Sequence, residues 1–236
     1  MTFNEDVSRH PSAVLFDMDG TLVDSEKVWD IALYELAERA GGKLSEPARL
    51  AMIGSNMSRT LQLLRDDLGQ PDRPEAPDVE WLVDRVHQLF AEGLVWRPGA
   101  LELLRAVRAA GLPTALVTST GRRLVEVALD TLGRENFDAV VVGDEVKAQK
   151  PDPEPYLTAA DLLGVPITDC VAIEDSPTGV ASAVASGAAV LAVPAELELP
   201  PTDGVHLRDT LEGVDLTYLT DLLARAATRG RSRPAR

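Results

Sequence analysis

The stretch AVLFDMDGT, Ala13 to Thr21, sets an apolar run directly before two aspartates, a glycine and a threonine. Ala13 to Phe16 has the length and unbroken apolar character of a strand buried on both faces, and Asp17 and Asp19 leave its carboxyl end together. Four more runs of apolar and β-branched residues follow: Thr114 to Val117, Ala139 to Val142, Cys170 to Ile173 and Ala189 to Val193. Between the later runs lie helix-like stretches, Ala100 to Ala110, Arg122 to Leu132 and Pro153 to Leu163, stopped by Gly111, Gly133 and Gly164. Strands alternating with helices predict a parallel sheet covered on both faces, a doubly wound α/β domain. Ligands of such a sheet sit at the carboxyl ends of its strands.

From Ser25 to about Trp96 the pattern changes to helical periodicity without a buried strand. Helices are expected over Lys27 to Ala40, Arg59 to Leu68 and Val79 to Phe90, with a proline- and acid-rich loop from Gly69 to Asp78. The segment lies between the first and second strands, so it overhangs the first strand's carboxyl end. The chain is thus expected to divide into an α/β core, residues 1–24 and 97–236, and an inserted helical cap, residues 25–96. The basic, glycine- and proline-containing end, residues 229–236, is expected to fray.

Acidic residues outnumber basic ones 38 to 23, a net charge of -15, so the whole-molecule field repels nucleic acid and acidic membrane surfaces. No apolar stretch approaches the ~20 residues that span a bilayer, and the start MTFNEDVSRHPS lacks a basic segment followed by an apolar run. A cytoplasmic enzyme is expected, a monomer or weak homodimer with a small metabolite as its partner. Cys170 is the only cysteine, so no internal disulfide forms, and its apolar neighbours mark it as a packing residue.

Chemistry-bearing residues gather at the ends of the predicted strands. Asp17 and Asp19 can share a metal ion, while Gly20 lets the backbone turn without a Cβ clash. Taken alone, the same residues also make an ordinary strand-ending turn. A calcium loop fits less well, because its glycine belongs at the sixth position and Gly20 stands at the fourth. Thr118, Ser119 and Thr120 follow the second strand, where hydroxyls and N–H groups can bind phosphate or simply cap a helix. Lys150, held between proline brackets, follows the third strand and can face phosphate, an aspartate or solvent. Glu174 and Asp175 follow the fourth, ahead of Ser176-Pro177-Thr178-Gly179 at a helix start. Each element has an ordinary reading, but acid pair, hydroxyl, lysine and acid pair on four strand ends of one sheet do not readily co-occur by chance.

This order resembles the haloacid dehalogenase superfamily, whose four motifs stand here as FDMDGTLVDS from Phe16, LVTS from Leu116, Lys150-Pro151 and IEDSPTG from Ile173. The likeness runs from Ala13 to about Ala226 and is nearest to the branch of β-phosphoglucomutase-like enzymes and small-molecule phosphatases. It implies a Mg²⁺-dependent phosphatase of a sugar phosphate or similar phosphomonoester, working through an aspartyl-phosphate. In the implied scheme Asp17 is the nucleophile and Asp19 the general acid and base. Mg²⁺ is held by Asp17, the Asp19 backbone carbonyl, Asp175 and Glu174. Thr118, Ser119, Lys150 and the backbone near Gly20 hold the phosphate. The cap turn Gly54, Ser55, Asn56 and Met57 is expected to choose the substrate. Two readings rival this one. In a hexose-phosphate mutase, the resemblance places a histidine and an arginine near the positions of Trp29 and Met57, with Arg59 close by. A non-catalytic binding protein on the same fold is expected to have lost Asp17, Asp19 or Lys150.

Overall fold

A computed structural model describes residues 10–231. Among them a single sheet forms from β1 (Ala13–Phe16), β2 (Thr114–Val117), β3 (Ala139–Val141), β4 (Cys170–Glu174), β5 (Ala189–Ala192) and β6 (Val205–Leu207). All pairings are parallel and the strand order is β3-β2-β1-β4-β5-β6. The chain winds outward from β1 to β3, then returns to the other flank of β1 with β4, so the order reverses beside β1. That reversal opens the crevice in which α/β sheets bind ligands.

Every residue of β1, β2, β4 and β5 is buried, as the unbroken apolar runs require. The pleat sends Val14 and Phe16 into one apolar cluster and Ala13 and Leu15 into another on the opposite face. Burying a side chain such as Phe16 stabilises by about 1.5–3 kcal/mol. The first cluster continues into the inserted segment through Leu36, Leu61, Leu82 and Phe90.

The insertion holds α1 (Glu26–Arg39), α2 (Glu46–Met52), α3 (Met57–Asp67) and α4 (Glu75–Ala91). Helix α4 begins inside the expected loop, because Pro77 falls in its first turn, where a missing N–H costs nothing, and Glu75 and Asp78 favour a helix start. Helix α2 is a seven-residue addition to the expectation, started by Ser45, whose hydroxyl accepts from the Ala48 N–H. The chain leaves and re-enters the sheet region side by side. Asp24 N–H donates to the Val95 carbonyl and Arg97 N–H to that of Leu22, each at 2.8 Å.

The remaining helices are α5 (Ala100–Ala109), α6 (Arg122–Leu132), α7 (Glu154–Leu163), α8 (Pro177–Ser186) and α9 (Leu216–Arg231). Helix α4 packs on α1 and α6, joining the insertion to the sheet-bearing part. Strand β6 and helix α9 were not anticipated. Strand β6 is a half-exposed edge strand that lacks the apolar run marking its neighbours. Helix α9 carries Arg229–Arg231, three residues of the expected frayed end, and residues 232–236 lie outside the described residues. No described helix is long and apolar enough to cross a membrane.

Candidate active site

The four chemistry-bearing strand ends converge beside the β1–β4 reversal. Asp17 follows β1 directly, and its N–H donates to the Ile173 carbonyl of β4 at 3.0 Å. Lys150 Nζ reaches across and donates to Asp17 Oδ1 at 2.7 Å, to Glu174 Oε1 at 2.6 Å and to the Val117 carbonyl at 2.9 Å. All three ammonium protons are therefore committed. Burial pulls the Lys150 pKa down, but the charges of Asp17 and Glu174 push it up harder, and the lysine stays protonated.

That lysine fixes one oxygen of Asp17 and leaves the other free. Asp17 Oδ2 is buried and has no hydrogen-bond partner. Burial raises the pKa of Asp17, opposed by Lys150 and reinforced by Glu174 and Asp19. Asp175 is raised in the same way, first by burial and then by Asp17 and Glu174. Ligand oxygens of Asp17, Glu174 and Asp175 lie within 4.8 Å of one another. Three buried carboxylates against one ammonium leave uncompensated negative charge, which is costly in a low-dielectric interior. An orphaned carboxylate oxygen in an all-oxygen donor set suits a hard divalent cation, so these residues fit Mg²⁺.

Glu174 is fully buried behind this cluster. Its Oε1 also accepts from Tyr156 at 2.6 Å and its Oε2 from the Asp175 N–H at 3.2 Å. Tyr156, on α7, was not singled out from the sequence. The only available signal was a phenol amid the small and apolar residues of that helix's buried face. Gly179 lets α8 pass close by, since a Cβ there would lie 2.0 Å from Glu174 Oε2.

Asp19 is clamped by three hydroxyls. It accepts from Ser25 at 2.6 Å, from Thr118 at 3.0 Å and from Thr120 at 2.8 Å. Thr118 thus meets the predicted acid directly, and Thr120 joins it. Ser119 lies on the wall of the same cavity. Gly20 has φ +75°, and a Cβ on it would come 2.2 Å from Asp175 Oδ2. Its own N–H is occupied by the Val23 carbonyl at 2.9 Å, so what Gly20 offers is the turn and the room for Asp175. Cys170 is buried with its thiol pushed up to about 12 by burial, an inert packing group.

A cavity of about 370 Å³ opens above Asp17, Asp19, Lys150 and Asp175 and is roofed by the insertion. Gly54, Ser55 and Met57 of the expected specificity turn line it, as does Trp29. Asn56 is not among the lining residues; its Oδ1 accepts from the Arg59 N–H at 3.0 Å and caps α3. Gly54 presses on the α8 start, where a Cβ would sit 2.9 Å from the Ser176 Cβ. Sequence reasoning also missed Glu26 and Arg49 in these walls. Glu26 is pushed up to about 7 by burial and by Glu196, against Arg97.

Residues 11–187 match the family of haloacid dehalogenase-like hydrolases. Hexitol phosphatase A of Escherichia coli (strain K12) is 34% identical over 204 residues, 86% of this chain and 93% of that one. A phosphorylated carbohydrates phosphatase of Thermotoga maritima is 36% identical over 180 residues, 74% of this chain and 81% of its own. CbbY from Rhodobacter sphaeroides, solved with xylulose-(1,5)-bisphosphate, superposes with a TM-score of 0.78 at 30% identity, covering 89% of this chain and 99% of that one. The strand-end constellation, the match and these relatives agree: the chain belongs to the haloacid dehalogenase-like hydrolase family and is a phosphatase of phosphorylated metabolites.

Proposed function

We propose that this chain is a Mg²⁺-dependent phosphatase of a small sugar phosphate or similar phosphomonoester, working through a phosphoryl group carried on Asp17. The observation that carries the reading is the asymmetry of Asp17: Oδ1 is tied to Lys150 and Oδ2 is buried without a partner. A carboxylate already oriented by Lys150 needs little reorganisation to attack.

Asp17, Glu174, Asp175 and the Asp19 carbonyl would hold Mg²⁺, which when bound supplies positive charge against the negative charge of the phosphoryl group. A carboxylate oxygen of Asp17 attacks phosphorus, the bond to the leaving oxygen breaks, and Asp19 gives that oxygen its proton. Asp19 then takes a proton from water, the water oxygen attacks phosphorus, and the bond to Asp17 breaks, releasing phosphate and restoring the carboxylate. Lys150 and the Thr118 and Ser119 end of β2 balance charge on the phosphoryl oxygens. The three hydroxyls on Asp19 keep its carboxylate aimed through both steps. Trp29 and Met57 line the cavity near the positions where a sugar-phosphate mutase of the β-phosphoglucomutase-like branch has a histidine and an arginine, and they support water as the acceptor.

Asp17→Asn is expected to abolish Mg²⁺-dependent phosphate release from p-nitrophenyl phosphate and from sugar phosphates, with the circular dichroism spectrum unchanged. Normal release by that variant would falsify the covalent scheme.

A further inference from the structure

The far end of the cavity, under the insertion, has walls that the phosphoryl chemistry does not use. Trp29, Leu33, Met52, Ile53, Met57 and Val83 make it largely hydrocarbon. The hydroxyls of Ser55 and Thr60 lie 2.6 Å apart there and bond to each other. Besides Lys150, the cations among the lining residues are Arg49 and Arg123. Arg49 has every nitrogen engaged. Its Nη1 donates to Glu196 at 2.8 Å and to Asp30 at 3.0 and 3.2 Å, its Nε to both oxygens of Glu46 at 3.3 Å, and its Nη2 to Glu46 at 3.2 Å. Arg123 pairs with Asp84 at 2.6 Å. Asp30 and Asp144 add carboxylates to the same walls.

A second phosphate or a carboxylate entering here meets an Arg49 already paired with three carboxylates and an Arg123 paired with Asp84, with further carboxylates beside them. Hydroxyls turned toward the hydrocarbon wall lose their water partners without replacement. A C–H surface loses nothing and displaces water from Trp29 and its neighbours. Resting on the phosphatase reading above, we propose that the leaving group is an uncharged alcohol that turns an apolar face to the insertion. In this proposal the Asp30, Glu46 and Glu196 carboxylates, by saturating Arg49, exclude substrates with a second anionic group. Glu196 is then a positioning residue, holding Arg49 away from the ligand.

The test compares glucose 6-phosphate, glucose 1,6-bisphosphate and cyclohexylmethyl phosphate, with p-nitrophenyl phosphate as reference. Cyclohexylmethyl phosphate keeps the six-membered ring and lacks the hydroxyls. Its KM is expected to lie about threefold or more below that of glucose 6-phosphate, and kcat/KM for the bisphosphate about tenfold below. Glu196→Gln is expected to lower KM for the bisphosphate about fivefold at unchanged kcat, with p-nitrophenyl phosphate turnover unaltered and Glu196→Asp behaving as wild type. A bisphosphate used as well as the monophosphate, a KM for glucose 6-phosphate below that of the hydrocarbon ring, or an unchanged KM for the bisphosphate in Glu196→Gln overturns the proposal while leaving the phosphatase reading in place. Absence of phosphate release from all four esters overturns that reading and the proposal together.

Discussion

Lys150 and Asp19 show how single side chains divide the work at this site. Lys150 ties Asp17, the proposed nucleophile, to Glu174, whereas Asp19 is held by hydroxyls alone and stays free of ion pairs in the described contacts. Asp19→Ala therefore removes the proposed acid and base without breaking a hydrogen bond between Lys150, Asp17 and Glu174. Turnover is expected to fall by about 10²- to 10⁴-fold, with phosphate label from an activated ester accumulating on Asp17 after acid quench. Full turnover and no trapped label would assign the proton transfers elsewhere. Glu26 makes a separate prediction. A carboxyl whose pKa rises on folding, here from 4.5 to about 7 through burial and Glu196, binds more protons folded than unfolded. Its presence costs nothing below pH 4.5 and lowers stability progressively as pH rises toward 7. Glu26→Gln is expected to raise the melting temperature above pH 7 by about 2–4 °C and to leave it unchanged near pH 4. Equal shifts at both pH values would show a packing effect instead. Asp17, Thr118 and Asp175 were legible in the sequence because they follow apolar runs closely, and Lys150 because prolines bracket its loop. Tyr156 and Arg49 were not, since their partners Glu174 and Glu196 are brought to them only by tertiary folding.

The elements repeat that contrast. Strands β1, β2, β4 and β5 announced themselves by runs with no polar alternation, the mark of a sheet covered on both faces. Strand β6 carries a half-exposed Val-His-Leu and no such run. Asn56 looked like a cavity residue from its place in the turn, but an asparagine three residues before an N–H it can accept is also a helix start, and that role won. The turn before α3 and the start of α8 meet at Gly54 and Ser176, where the roof of the cavity touches the loop that carries Asp175. Gly54 has φ +68° and no room for a Cβ. Gly54→Ala is expected to cost roughly 1–2 kcal/mol in backbone strain and to lift the insertion from Ser176. KM should rise for sugar phosphates more than for p-nitrophenyl phosphate, whose leaving group needs little positioning. A lowered melting temperature with every KM unchanged would confine Gly54 to stability.

At the scale of the molecule, a net charge of -15 makes distant approach unfavourable for a dianionic ester, even though Lys150 awaits it in the site. The Debye length falls from ~30 Å at 0.01 M salt to ~8 Å at 0.15 M, which screens the global field more than the contact charges. Over that range, at saturating Mg²⁺, kcat/KM is expected to rise about two- to threefold. A fall with salt would mean that a local positive funnel dominates encounter. The same molecule is built so that one part can be altered without the other. The insertion leaves and rejoins the core through neighbouring backbone bonds, Asp24 to Val95 and Arg97 to Leu22. Geometrically it is a loop whose two feet stand together, so its length adds little to the cost of pairing β1 with β2. The roof can therefore be lengthened or exchanged between those two feet while Asp17, Lys150 and the acid pairs keep their places at the strand ends.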